Sequence, residues 1–410
     1  MIPAVARRCC LQFITAVLAA GGVVDGHADA IGDWTIEQWG TISLEGRVFL
    51  NSPKREGQHS SDFSATAKPT VYIEFPQGSF TFTPYFRIDN ADEKRRLIDI
   101  QEAYFLQFGS IGDSAWELRL GIDQVFWGVA ESNNPVNIIN QTDLAGHPGG
   151  EQKLGQPMIH GTLNGDWGIL DLFVLPYHRV RTFPGEAGRL GVPVRSDSGG
   201  ITYETSRGKR NIDLAARYGH TVGPLDFGIS YFKGTSREPA LLPDFPLKQQ
   251  YNLIRQTGLE LQFVQDAFLG KAELIRRRGF SGDGTSHSAF VVGGEYSFYS
   301  VLETSADLTL YAEWNQDDRR EKATTPLQND MFYAARYALN DVDDTTFSAA
   351  LIDDLDYSTQ TLLLEFDKRL SDSAQLNLEL FKFLDTDPVD PQTGPISQDD
   401  YVAINLSYSF

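Results

Sequence analysis

A chain of 410 residues with a net charge of −20 and two cysteines is too acidic for a nucleic-acid binder, whose phosphate partner demands a basic face. It is also too poor in cysteine for a disulfide-stapled fold. Beyond the N-terminus no uninterrupted apolar run reaches the roughly 20 residues that a membrane-spanning helix needs. A barrel strand escapes that test, because only its alternate residues face lipid.

At the N-terminus, Arg7 and Arg8 precede an uncharged apolar run from Leu11 to Val24, and Ala28-Asp29-Ala30 supplies a small-x-small cleavage pattern. Residues 1–30 are therefore predicted to be a removed secretory signal; the run is too short and Gly-rich for an anchor. Cys9 and Cys10 precede that run, which is not where a lipoprotein cysteine sits, and they leave with the leader. A single domain, 31–410, remains.

Most of this domain alternates. In 40–50, Ile42, Leu44, Val48 and Leu50 take one side and Ser43, Glu45 and Arg47 the other, the period of a strand with one apolar and one polar face. After a loop at 51–68, Val71, Ile73 and Phe75 lead into the turn Pro76-Gln77-Gly78-Ser79. Phe80, Phe82, Phe86 and Ile88 lead out, alternating with Thr81, Thr83, Tyr85 and Arg87, which predicts a hairpin. Strands follow at 97–108 and 116–122, where Trp116, Leu118, Leu120 and Ile122 alternate with Glu117, Arg119 and Gly121, and Asp123 continues the polar side. The alternation then stops. Residues 128–155 are rich in Asn, Pro and Gly and too long for an ordinary connection.

Further strands are predicted at 156–164, 168–177, 210–219, 226–234, 255–265, 271–279 and 288–298, then at 305–315, 331–339, 345–353, 358–370, 373–384 and 400–410. Connectors alternate between short, such as 220–225 and 266–270, and long, such as 178–209 and 235–254; 280–287 and 354–357 break the rule. The predicted fold is all-β: a transmembrane antiparallel β-barrel of about 18 strands with long outer loops, or 16 strands if one hairpin is loop. Residues 199–206 are a candidate small hairpin within 178–209. A closed barrel has no sheet edge, and at this strand number loops must narrow the interior or water must fill it.

In the last strand, Val402, Ile404, Leu406, Tyr408 and Phe410 are apolar at every second position, with Ala403, Asn405, Ser407 and Ser409 between. The terminal Phe410, with Tyr408 two residues earlier, resembles the C-terminal signature that marks the closing strand of bacterial outer-membrane β-barrels for their assembly machinery. These five residues are predicted to face lipid and to close the barrel against 40–50. The stretches Glu102-Ala103-Tyr104, Leu118-Arg119-Leu120-Gly121, Gln124-Val125-Phe126-Trp127-Gly128 and Asn134-Pro135-Val136-Asn137 resemble porin-type barrels of the broad group that includes alginate-export and phosphate-selective porins. The likeness covers about 95–140 and the terminal strand. It implies passive movement of small hydrophilic, often charged solutes through a loop-narrowed pore, although this chain is acidic where anion-selective members are not.

Counted from a periplasmic N-terminus, 128–155 is the third outer loop, which commonly folds into the pore of porins. Glu131, Asn133, Asn134, Asn137, Asn140 and Asp143 are its candidate constriction residues, and a plain surface loop is the alternative. Pore-lining candidates are basic at Arg47, Arg87 and Arg119, with Arg276 and Arg278 sharing one face of their strand, and acidic at Glu45, Glu102, Glu117 and Asp123. The alternatives place the strand-end arginines at lipid headgroups and most of the negative charge on outer loops. Asp341, Asp343 and Asp344 lack the Gly and distal Glu of a calcium loop and read as a polar turn. No metal or cofactor is implied. The expected function is an outer-membrane, porin-like channel for passive diffusion, with membrane lipid, the assembly machinery and small hydrophilic solutes as partners. A structural or adhesive barrel acting through its outer loops is the alternative. A barrel-wall hydrolase is the weakest reading, because no nucleophile motif accompanies His160 and His178.

Overall fold

The computed structural model describes residues 29–31, 33–147, 149–195, 197, 199–244, 246–282 and 284–410. Most of the predicted leader, 1–28, lies outside the described residues. The alternation seen in the sequence becomes strand after strand: β1 (Trp34–Phe49), β2 (Ser61–Phe75), β3 (Gly78–Asp89), β4 (Leu97–Ile111), β5 (Ser114–Asp123), β6 (Gln156–Gly165), β7 (Gly168–Leu175), β8 (Asp213–Val222) and β9 (Leu225–Thr235). They continue as β10 (Leu253–Gln265), β11 (Phe268–Arg278), β12 (Ser286–Phe298), β13 (Asp307–Asp317), β14 (Asn329–Ala338), β15 (Thr346–Asp354), β16 (Gln360–Arg369), β17 (Ala374–Asp385) and β18 (Tyr401–Ser409). Each pairs antiparallel with the next, and β18 pairs with β1 in the register Thr41↔Ser409 to Phe49↔Tyr401. The sheet is thus an eighteen-strand closed antiparallel barrel.

Closure is carried to the last residue. Gly40 N–H donates to the Phe410 carbonyl at 2.9 Å and Phe410 N–H to the Gly40 carbonyl at 3.0 Å. Asp29–Ile31 folds back onto Trp34–Ile36 at the same end. One end of the barrel carries tight turns, some with a residue in the left-handed region, such as Gly112 (φ 60°) and Gly223 (φ 61°). The other end carries the long loops. The predicted hairpin at 199–206 does not form: Ile201–Tyr203 pairs in parallel with Gln249–Tyr251 of another loop, because the strap 178–212 is drawn across the mouth rather than folded on itself.

The two faces of the sheet differ as the sequence period requires. Val402, Ile404 and Leu406 are 44, 51 and 43 % exposed and share a face with Tyr408 and Phe410, whereas Tyr401 and Ala403 are buried. The outer surface carries many large apolar residues around the ring, including Leu44, Leu120, Leu172, Tyr231, Leu274, Val292, Leu310 and Phe347. Such a continuous apolar surface is far larger than water-soluble monomers expose. Among the described residues no helix is long and apolar enough to cross a membrane.

Candidate functional site

Inward-facing positions are read from burial and pairing. On β1, Glu45 and Arg47 face in and bond to each other at 3.1 Å; Arg47 also pairs with Asp62, and its guanidinium lies over the Tyr401 ring. Arg95, from the β3–β4 loop, joins them by pairing with Glu45, Asp62 and Asp89. Arg87 reaches Asp143 at 2.8 Å and Gln152 at 2.6 Å. Glu102 accepts the Thr83 hydroxyl. Arg119 sits between Asp123 (3.1 Å) and Glu117 (3.6 Å), against Tyr104.

Two of the candidate arginines are on the other face. Along β11, Lys271, Glu273, Ile275 and Arg277 are buried while Leu274, Arg276 and Arg278 are exposed. Arg276 bonds the Ser286 and Ser288 hydroxyls and Arg278 the Gly284 carbonyl. The expectation that Arg276 and Arg278 line the pore is corrected by one step of parity: Arg277 is the residue that points inward. No free arginine ladder arises from Arg47, Arg87, Arg119 and Arg277, because each is held by a carboxylate.

The long segment after β5 enters the interior. Its bend begins at Trp127-Gly128, where Gly128 has φ 140° and a side chain would meet the Asn134 amide at 2.6 Å. The first leg is anchored on two wall carboxylates. Glu273 of β11 accepts the Val129 N–H at 2.7 Å, the Ala130 N–H at 3.0 Å, the Asn134 amide at 2.9 Å and the Val136 N–H at 3.4 Å. Glu313 of β13 accepts the N–H groups of Glu131 and Ser132 and the Ser132 hydroxyl. Glu131 itself pairs with Lys271 at 2.5 Å. The return leg is held on the opposite wall, where Asp143 binds Arg87 of β3 and the Ala145 and Gly146 carbonyls accept from Arg95. Strands 3 and 11–13 are about half the ring apart, so the segment crosses the barrel interior.

Apolar packing supports that crossing. Trp127, Val136, Ile138 and Ile139 are buried against Phe173, Leu175, Phe232, Ile254 and Ile275 of the wall. Asn140 ties the two legs together: its amide donates to the Asp123 and Leu154 carbonyls and its oxygen accepts the Val125 N–H. Asn137 N–H closes a turn onto the Asn134 carbonyl, and Asn133 is half-buried beside it.

The remaining loops lock over this segment. In the strap 178–212, Gly185 N–H donates to Asp92, Arg189 pairs with buried Asp399 at 2.6 Å, and Leu190 packs with Phe49 and Tyr401, across the mouth from β7 and β8. Glu238, between β9 and β10, receives Arg277 at 2.6 Å and Arg319 at 3.2 Å. Burial pushes the pKa of its carboxyl up, but Arg319, Arg277 and Arg181 outweigh burial and hold it down at about 2.

On β16 and β17 the inward face carries carboxylates. Glu365 of β16 stands directly opposite Glu379 of β17, with Asp367 one inward position along and Glu151 of the crossing loop near enough to interact. Glu365 and Asp367 have no ion pair among the described residues; Asp367 accepts from Asn377 and Glu379 from the Tyr401 hydroxyl. Toward the tight-turn end, beneath Val129, lies a cavity of about 410 Å³ lined by Gly219, Gly228, Arg217 and Glu260.

His160 and His178 do not meet. His160 bonds Asp171 and stacks on Phe173 inside the barrel, whereas His178 is buried in the loops with Tyr203 and the Ser236 carbonyl. Sequence reasoning missed Glu273, Glu313, Lys271 and Glu238. The first three were available from the two-residue period of β11 and β13; Glu238 carries no local signal.

This geometry is the fold of a porin-type barrel: a closed ring of antiparallel strands with one loop led through it. Among solved structures the chain is similar to OpdQ from Pseudomonas aeruginosa, with 13 % identity, 93 % of this chain and 99 % of that chain covered, and a TM-score of 0.51. A mutant of Rh. blastica porin matches at 11 % identity, covering 92 % of this chain and 100 % of that chain, with a TM-score of 0.45. Residues 46–171, from the end of β1 into β7, match the model of a family described as a protein of unknown function, DUF1302. No curated protein matches the sequence.

Proposed function

We propose that this barrel is a channel of the bacterial outer membrane through which small hydrophilic solutes diffuse passively, past a constriction formed by 128–155. The supporting observation is the crossing itself: a loop of Asn, Gly and Pro would be poor material for a plug, yet two wall carboxylates, the wall residue Arg87 and Arg95 of the β3–β4 loop fix it between opposite walls. The free side of the interior is acidic. Glu365, Asp367 and Glu379 form a like-charged group on adjacent strands, an arrangement that costs stability unless mobile cations screen it. Rings of carboxylate favour cations, so the channel passes cationic and neutral solutes in preference to anions. In this reading 1–30 is the cleaved leader, the apolar outer face contacts lipid, and the strand ending in Phe410 is what the assembly machinery engages.

Purified protein in a planar bilayer tests the reading. Discrete conductance steps and a reversal potential of cation sign in a salt gradient are the expected result. Insertion without channel steps overturns it in favour of a structural or adhesive barrel.

A further inference from the structure

Among the described residues most inward-turned arginines are ion-paired with a carboxylate; the neighbouring cations Lys153 and Arg181 make no such direct pair. Thr142 forms an antiparallel bridge with Lys153, and Asp143 a parallel bridge with Thr182, so three segments lie side by side and bring Lys153 and Arg181 to the same two residues. Lys153 Nζ donates to the Thr142 hydroxyl at 2.9 Å and Arg181 Nε to the Gln141 amide oxygen at 3.2 Å. Both partners are uncharged. The terminal nitrogens of Arg181 and the remaining ammonium protons of Lys153 have no partner among the described residues, and both side chains are only partly buried.

The nearby carboxylates are already engaged. Asp143 is taken by Arg87 and Thr182 and Asp99 by Arg179, while Glu238, which also attracts Arg181 from farther off, is bonded directly by Arg277 and Arg319. The spot is therefore locally positive in a chain whose net charge is −20. Two partly buried cations side by side with no carboxylate bonded to either are unfavourable, and the deficit is removed by an anion that bridges them. Burial, and then the charge of Arg181, hold the Lys153 ammonium down to about 8, as befits a cation lacking a counterion.

We propose that Lys153 and Arg181 form a docking point for the oxyanion group of a small solute, a carboxylate or a phosphate, at the loop-covered mouth of the interior. The docking point rests on the channel reading only for how the solute arrives. A solute held there by its oxyanion presents the rest of its body to the interior, where the acidic wall selects against a second negative charge.

Titration calorimetry on the full chain folded in detergent tests this, with propionate, a monocarboxylate, and inorganic phosphate as separate probes at pH 7. Saturable binding is expected, and the probe that binds identifies the source of the oxyanion. K153Q and R181Q each weaken it about tenfold or more, as loss of one partner of a desolvated charge pair requires. K153R retains it, and R276Q, on the outer face, leaves it unchanged. Heat-modifiable migration in gels confirms that each variant is a closed barrel. Absence of saturable binding for both probes, or binding undiminished in K153Q and R181Q, overturns the docking point. Binding by a protein that passes no current overturns the channel reading instead and leaves the docking point standing.

Discussion

Glu273→Ala is the sharpest perturbation of the crossing loop. The carboxylate accepts three bonds at or below 3.0 Å, from Val129, Ala130 and Asn134, and a longer one from Val136. Bonds to a charged group contribute about 1.5–3 kcal/mol each, and removal strands the N–H groups of buried Ala130 and Val136. Relief of the desolvation of a buried carboxylate offsets several kcal/mol. The balance is a weakening of loop docking by about 3–5 kcal/mol, a shift of roughly 150- to 5,000-fold in the docked-to-free ratio. Glu273→Gln keeps the shape and one acceptor oxygen and loses about 1–2 kcal/mol. The strand ladders of β11 with β10 and β12 are untouched, so the barrel remains closed.

Two assays read this out. Limited proteolysis of the alanine variant cuts within 128–136 while the wild-type loop resists, and single-channel recordings show a larger, noisier conductance. If the alanine variant resists protease as the wild type does and conducts identically, the crossing loop is held by its apolar packing on Phe173, Phe232 and Ile275, and the carboxylate anchor is not what fixes it.

Three further outcomes follow from the same geometry. Glu365→Gln combined with Glu379→Gln removes the like-charged pair and moves the reversal potential in a potassium chloride gradient toward anions; an unchanged potential places the selecting charge elsewhere. Arg277→Gln leaves Glu238 short of a partner and loosens the loops 236–252 and 318–328 by about 3–5 kcal/mol, whereas Arg276→Gln on the exposed face changes their protease resistance by less than about 1 kcal/mol. The Glu238 carboxyl, held at about 2 against an ordinary 4.5, contributes on the order of 3 kcal/mol to loop docking. Because its value is depressed in the docked state, that contribution is full above pH 4.5 and is lost as pH falls toward 2. The loops therefore stay protected at pH 5 and open between pH 4 and 2, as followed by proteolysis with an acid protease; opening already at pH 6 contradicts the assignment.

The barrel was legible because its cause is local. Residues such as Trp116, Leu118, Leu120 and Ile122 must face one way and Glu117, Arg119 and Asp123 the other whatever the rest of the chain does, since the strand period is two. Strand number, the closure of 400–410 on 40–50 and the displaced segment 128–155 all follow from counting where that period runs and stops. The failure at Arg276 and Arg278 has the same origin. Three consecutive arginines fit either face, and one residue of register exchanges them.

What the tertiary structure alone decided is where the charges go. Arg87 and Asp143, Arg189 and Asp399, or Glu238 and Arg319 are 56, 210 and 81 residues apart in sequence, and nothing in either partner's neighbourhood announces the other. An ion pair in a low-dielectric interior depends on distances of a few ångströms set by loop paths, and those paths are chosen by the closed ring. The sequence by itself determined that there is a wall with an apolar side and a polar side. Only the folded ring decided which inward charges are cancelled by an opposite charge, leaving Glu365, Asp367, Lys153 and Arg181 without a direct ion pair among the described residues.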